Sequence, residues 1–107
     1  MPDPKPAYEI ADKQSIVMTP DVRATVMTLD PGQEIPWHSH TKVTDTSFCL
    51  EGRIEITFKG PDEAMMLPPG QWVSIPPGRL HRVRCLGPNQ GRVLLVQGVG
   101  AYDFVPA

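Results

Sequence analysis

Long apolar runs are missing from this chain. Its opening, MPDPKPAYEI, has no hydrophobic segment of the kind that directs secretion, and no later stretch approaches a membrane span. No membrane partner is expected, and the cytoplasm is the default compartment. Cysteine is scarce, with only Cys49 and Cys85. A reducing compartment favours free thiols over a disulfide between them. Excess charge of one sign is lacking too. Ten Lys and Arg stand against 12 Asp and Glu, a net charge of −2, and the basic residues are scattered. That composition gives no electrostatic reason to expect nucleic acid as a partner. Helical periodicity, internal repeats and a second domain are not evident.

Turn-forming residues are plentiful, with 13 prolines and 9 glycines in 107 residues. Such punctuation favours many short elements over a few long ones. A hydrophobic content of 40% is ordinary for a folded domain. Short alternating runs fill the spaces between turns. VRATVMTL (22–29) is rich in β-branched residues and ends at Asp30-Pro31-Gly32. In RIEITF (53–58), Ile54, Ile56 and Phe58 alternate with Arg53, Glu55 and Thr57, the period of a half-buried strand. TSFCL (46–50) precedes it, and the pair reads as a hairpin about Glu51-Gly52. WVSI (72–75), LHRVRC (80–85) and RVLLVQ (92–97) complete a series of strands spaced by turn signals, which predicts an all-β sandwich or barrel with little or no helix. Residues 1–12, rich in proline, read as an extended N-terminal arm, and 13–107 as the barrel domain.

The chain has three histidines: His38, His40 and His81. On a strand, residues i and i+2 share a face, so His38 and His40 can converge on one ion. His81 completes the set only where its strand is a neighbour. The surrounding spacing strengthens the pattern. One block runs Gly32, five residues, His38-x-His40, four residues, Asp45, six residues, Gly52. The other runs Gly70, five residues, Pro76-x-Gly78, two residues, His81, and seventeen residues separate the two blocks.

These blocks resemble the two paired motifs of the cupin superfamily over residues 32–85. Asp45 stands at the family's glutamate position and Cys85 at its asparagine position. The resemblance implies a single-domain jelly-roll β-barrel with one divalent metal ion per chain on His38, His40 and His81. It places Gly32, Gly52, Gly70 and Gly78 at turns, where positive φ or close backbone approach is needed. Asp45 is one methylene shorter than glutamate, about 1.5 Å. It is therefore open whether Asp45 ligates directly, acts through a water, or leaves a three-histidine centre. Such ligands suit Fe, Mn, Ni, Zn, Cu or Co and do not choose among them.

Other residues are candidates by position. Cys49 shares strand parity with Asp45, and Cys85 with His81, so both point inward, most simply as core. Ser47, Ile54, Ile56, Val83, Val93 and Leu95 are expected to line the barrel. Gln97 and Ser47 are candidate substrate contacts, and so is Arg79, able to clamp a carboxylate bidentately near the mouth. Trp37 should point away from the metal; Trp72 and Phe48 read as core or interface aromatics.

The resemblance implies a metal-dependent enzyme, an oxygenase or a lyase/isomerase, acting on a small organic acid, diketone or phenolic compound held on the metal. Asp45 is then a fourth ligand or a general base. The alternative is a metal-loaded barrel that binds or senses a small ligand without turning it over. A homodimer is expected, with the arm and RVLLVQGV as candidate contacts.

Overall fold

The computed structural model describes residues 8–107; most of the expected arm, residues 1–7, lies outside the described part. Ten strands form among the described residues, and no helix. They are β1 (Asp12–Met18), β2 (Val22–Leu29), β3 (Glu34–Ser39), β4 (Thr44–Glu51), β5 (Ile54–Phe58), β6 (Glu63–Leu67), β7 (Trp72–Ile75), β8 (His81–Cys85), β9 (Gly91–Gly98) and β10 (Val105–Pro106). Two five-stranded sheets face each other, in the orders β1-β2-β9-β4-β7 and β10-β3-β8-β5-β6. This is the all-β jelly roll expected.

Alternation along each strand decides which side chains enter the barrel. In β9 every second residue is buried: Val93, Leu95 and Gln97 face in, while Arg92, Leu94 and Val96 face out. Ile54, Ile56 and Phe58 of β5 and Val83 of β8 close the core from the other sheet. Full burial of each such side chain stabilises the fold by about 1.5–3 kcal/mol.

The interior is graded from one end to the other. In the first sheet the paired inward rows run Met27–Val93–Cys49, then Thr25–Leu95–Ser47, then Arg23–Gln97–Asp45. The rows are apolar at one end and carry charge at the other. In the facing sheet, Ile54–Cys85 and Ile56–Val83 lead to Phe58–His81. Both sheets therefore bring their polar residues to the same end, and the site lies there.

Several strand readings need correction. β4 and β5 do not pair about Glu51-Gly52. β4 lies between β9 and β7, β5 between β8 and β6, so the chain crosses from one sheet to the other at this turn. Alternation shows that a strand is half-buried but cannot say which sheet it joins. Gly52 fits the crossing: its φ is +86°, and a Cβ there would lie 2.7 Å from the Gln90 carbonyl oxygen. The motif glycines Gly32, Gly70 and Gly78 also have positive φ. The hairpin partner of β5 is β6, hidden in sequence by its Met-Met-Leu-Pro-Pro run. β1 had no signal, because as an edge strand it is exposed along its whole length. Trp72 is no core residue; it is 59% exposed, on edge strand β7.

Candidate metal centre

His38 and His81 are paired across β3 and β8, His40 follows β3, and Asp45 reaches in from β4 of the opposite sheet. A local irregularity makes this possible. Ile35 and His38 are three residues apart, which on a regular strand puts them on opposite faces, yet both are buried. A register shift between them turns His38 back inward. Pro36 occupies the shift, where its missing N–H costs no ladder bond.

The ligand atoms of His38, His40, Asp45 and His81 all lie within 4.8 Å of one another, and all four residues are buried. The Nε2 of His40 is 3.1 Å from Asp45 Oδ2, and that of His81 is 3.5 Å from the same oxygen. All three Nδ1 atoms are committed elsewhere. That of His38 donates to the Pro36 carbonyl at 2.6 Å, that of His40 to the Asp103 carbonyl at 2.6 Å, and that of His81 to the Arg79 carbonyl at 2.9 Å. An Nδ1–H so held leaves Nε2 with a bare lone pair directed inward.

Three such lone pairs and a carboxylate meeting in a dry interior repel one another unless a cation lies between them. A proton can join one pair; a divalent ion satisfies the whole set. His81 Nε2 is buried without a hydrogen-bond partner, as an unfilled ligand position would be. Burial and then the His81 ring press the His38 pKa down to about 4, which keeps its imidazole neutral and fit to ligate. Burial also lowers His40, but the Asp45 carboxylate and Asp103 carbonyl outweigh it, and its pKa is raised. For Asp45, burial is outweighed by the imidazoles of His40 and His81, and the carboxyl sits well below the ordinary carboxylate range. The donor set fits a divalent ion.

Asp45 is held by two of the residues singled out in sequence. Gln97 Nε2 donates to its Oδ2 at 3.2 Å, and Ser47 Oγ to its Oδ1 at 3.3 Å. Gln97 is buried. Arg79 turns elsewhere: its guanidinium donates to Glu63 and to the Pro61 carbonyl and lies over the Phe58 ring. Cys49 and Cys85 are free, buried, and packed in the apolar core. Trp37 lies beneath Lys59 and Arg82, away from the cluster.

Four contributors escaped the sequence reading. Phe104 stacks on His38 with ring centroids 4.5 Å apart, and Tyr102 lies 5.4 Å from His40. The Asp103 carboxylate accepts the Thr41 N–H and hydroxyl, fixing the segment whose carbonyl holds His40. Nothing periodic marks this C-terminal stretch. Arg23 was legible: it shares parity with Thr25, Met27 and Leu29, which puts an arginine on an inward face. Beside the cluster, Tyr8, Lys13, Tyr102 and Phe104 line a cavity of about 360 Å³.

Residues 25–97 match the cupin domain family. An uncharacterised Klebsiella pneumoniae protein with a double-stranded β-helix domain superposes with TM-score 0.81 at 26% identity, covering 96% of this chain and 84% of its own. A conserved Streptococcus pyogenes protein of unknown function superposes with TM-score 0.71 at 30% identity, covering 81% and 72%. A Thermus thermophilus protein does so with TM-score 0.76 at 25% identity, covering 83% of each chain. No curated protein matches the chain in sequence.

Proposed function

Because the chain belongs to the cupin domain family, we propose that it is a metal-dependent enzyme, an oxygenase or a lyase/isomerase, acting on a small organic acid, diketone or phenolic compound at the barrel mouth. One observation carries this reading. Three imidazoles, each pinned through Nδ1 to a carbonyl, aim their free nitrogens at one buried carboxylate. A divalent ion held there supplies Lewis acidity and an open coordination position.

The chain's own groups have distinct parts. His38, His40 and His81 are the ligands. Asp45 is a fourth ligand or the base that accepts a substrate proton at its carboxylate, and Ser47 and Gln97 orient it. Of the candidate substrate contacts Ser47, Gln97 and Arg79, the first two thus act through Asp45. The aromatic wall of Tyr102 and Phe104 keeps water from the cluster. The protein works as a homodimer joined through the outer face of the β1-to-β7 sheet.

Elemental analysis of untagged protein, followed by oxygen uptake and product analysis with a panel of acids, diketones and catechols, tests the proposal. A metal-loaded protein that converts a panel member supports it. Protein that carries no transition metal, and takes none up on titration, overturns it. Metal-loaded protein that binds such compounds unchanged marks the sensing barrel instead.

A further inference from the structure

Arg23 is the one charged residue in the inward rows of β2, and it sits at the polar end. Its strand neighbour is Gln97, whose own neighbour is Asp45, so the three form a single row across the inner face. At ~4.8 Å per strand, the Arg23 backbone lies two strand spacings, roughly 10 Å, from that of Asp45. Thr25 and Met27, the next inward residues of β2, are buried. A cation placed at such a position is ordinarily paired.

Among the described residues it is not. Arg79, Arg82, Arg84 and Arg92 each have a glutamate within ion-pair distance, and Arg23 has no carboxylate partner. Its Nε is buried with no hydrogen-bond acceptor. The central carbon of the guanidinium lies over Tyr102, 3.8 Å from the ring centroid. A guanidinium stacked on an aromatic ring keeps its N–H edge free for an in-plane acceptor, the geometry of bidentate carboxylate recognition. Tyr102 in turn packs against His40 and lines the cavity beside the cluster, together with Tyr8, Phe104 and Lys13. Glu9 and Asp12 also line that cavity, but both are exposed and neither pairs with Arg23.

We propose that Arg23 is the specificity-determining residue of this site, taking the carboxylate of a small planar acid whose body lies against Tyr102, Tyr8 and Phe104 beside the cluster. The inference rests on the reading of the cluster as a metal centre and narrows its substrate class to the organic acids. Arg79, engaged with Glu63, is not the clamp.

Benzoate is the probe, with benzyl alcohol as its uncharged counterpart, titrated calorimetrically into metal-loaded and metal-free protein. Benzoate is expected to bind and benzyl alcohol to bind at least about tenfold more weakly, the loss that removal of a charge-assisted contact brings. Arg23→Gln should lose at least about tenfold in benzoate affinity. Arg23→Lys should recover only part of it, because an ammonium cannot present the planar fork. Arg79→Gln should bind as the parent does. Benzoate bound equally by the parent and by a folded Arg23→Gln or Arg23→Lys protein overturns the inference, and so does a parent that binds none. Metal content of the same samples separates the two readings. Metal-loaded protein indifferent to Arg23 keeps the metal centre and removes the clamp. Protein that refuses metal yet binds benzoate through Arg23 does the reverse.

Discussion

His38 and His81 are direct cross-strand partners, with ring centroids 4.2 Å apart. Paired strands lie ~4.8 Å apart, so the two rings stand side by side over the same point in the barrel. Both cannot carry a proton there, since two adjacent buried imidazolium charges would repel strongly. The pair is placed where both rings could share one external cation.

Replacing either member should therefore empty the site. His81→Gln keeps an amide of similar reach but loses the imidazole lone pair that Arg79's carbonyl orients. Metal content by elemental analysis should fall to background, a loss beyond the 10–100-fold typical of removing a partner behind the ligand. Retention of parental metal content by His81→Gln would place the ion elsewhere.

Metal removal should destabilise the fold. With free metal at about 100 times its dissociation constant, binding contributes about 2.7 kcal/mol. For a domain of this size that corresponds to a melting-temperature shift of roughly 10–20 °C. Calorimetric scans before and after dialysis against a chelator measure it, and coincident scans would count against an internal site.

The grouping of the three histidines, the barrel and its motif turns were readable because spacing and alternation are properties of the chain alone. What could not be read depended on contacts distant in sequence. The inward turn of His38 needs a bulge at Pro36 that no period announces. The carbonyl that holds His40 belongs to Asp103, 63 residues away. The crossing at Gly52 looks like any hairpin until the tight approach of Gln90 is seen. Gln97 reads as the polar end of an apolar strand, and only pairing with β4 shows that it serves Asp45.

That service predicts a measurable effect. Gln97→Leu removes the amide donor from Asp45 Oδ2 and leaves a buried carboxylate oxygen less satisfied. The metal-free protein should lose about 1–3 kcal/mol in denaturant unfolding. Metal affinity, read by competition with a chromophoric chelator, should weaken about 10–100-fold. Unchanged values in both assays would mean that the contact does not orient Asp45.

Tyr8 supplies a test of the aromatic mouth in alkaline solution. Burial, and then the neighbouring Tyr102, push its phenol up from 10.0 to about 12, against an opposing pull from Arg23. A phenol whose pKa is raised on folding contributes stability below pH 10, and that contribution is lost as pH climbs from 10 towards 12. Tyrosinate absorbance in the folded protein should lag behind that of the unfolded chain, and Tyr8→Phe should flatten the decline in stability over this interval. Ordinary titration of both tyrosines at the model-peptide value would show the mouth to be open to water.

The proposed homodimer has a definite face to use. Leu94, Phe48 and Trp72 are successive partners across β9, β4 and β7, directed outward from the barrel. The stripe ends in the Phe48–Trp72 ring pair, with centroids 5.9 Å apart. Of the segment RVLLVQGV, only the outward residues such as Leu94 and Val96 are available, because β9 is a central strand whose alternate side chains form the core. A two-fold axis over this stripe would lay Trp72 of each copy on the apolar row of the other, the self-complementary arrangement of a closed dimer. Light scattering of the parent should give twice the 11.8 kDa chain mass. Trp72→Glu puts a charge at the exposed end of the stripe without entering the core, and should return the mass to that of a single chain while metal content stays unchanged. A monomeric parent removes the dimer, and a Trp72→Glu protein that stays dimeric moves the interface to another face.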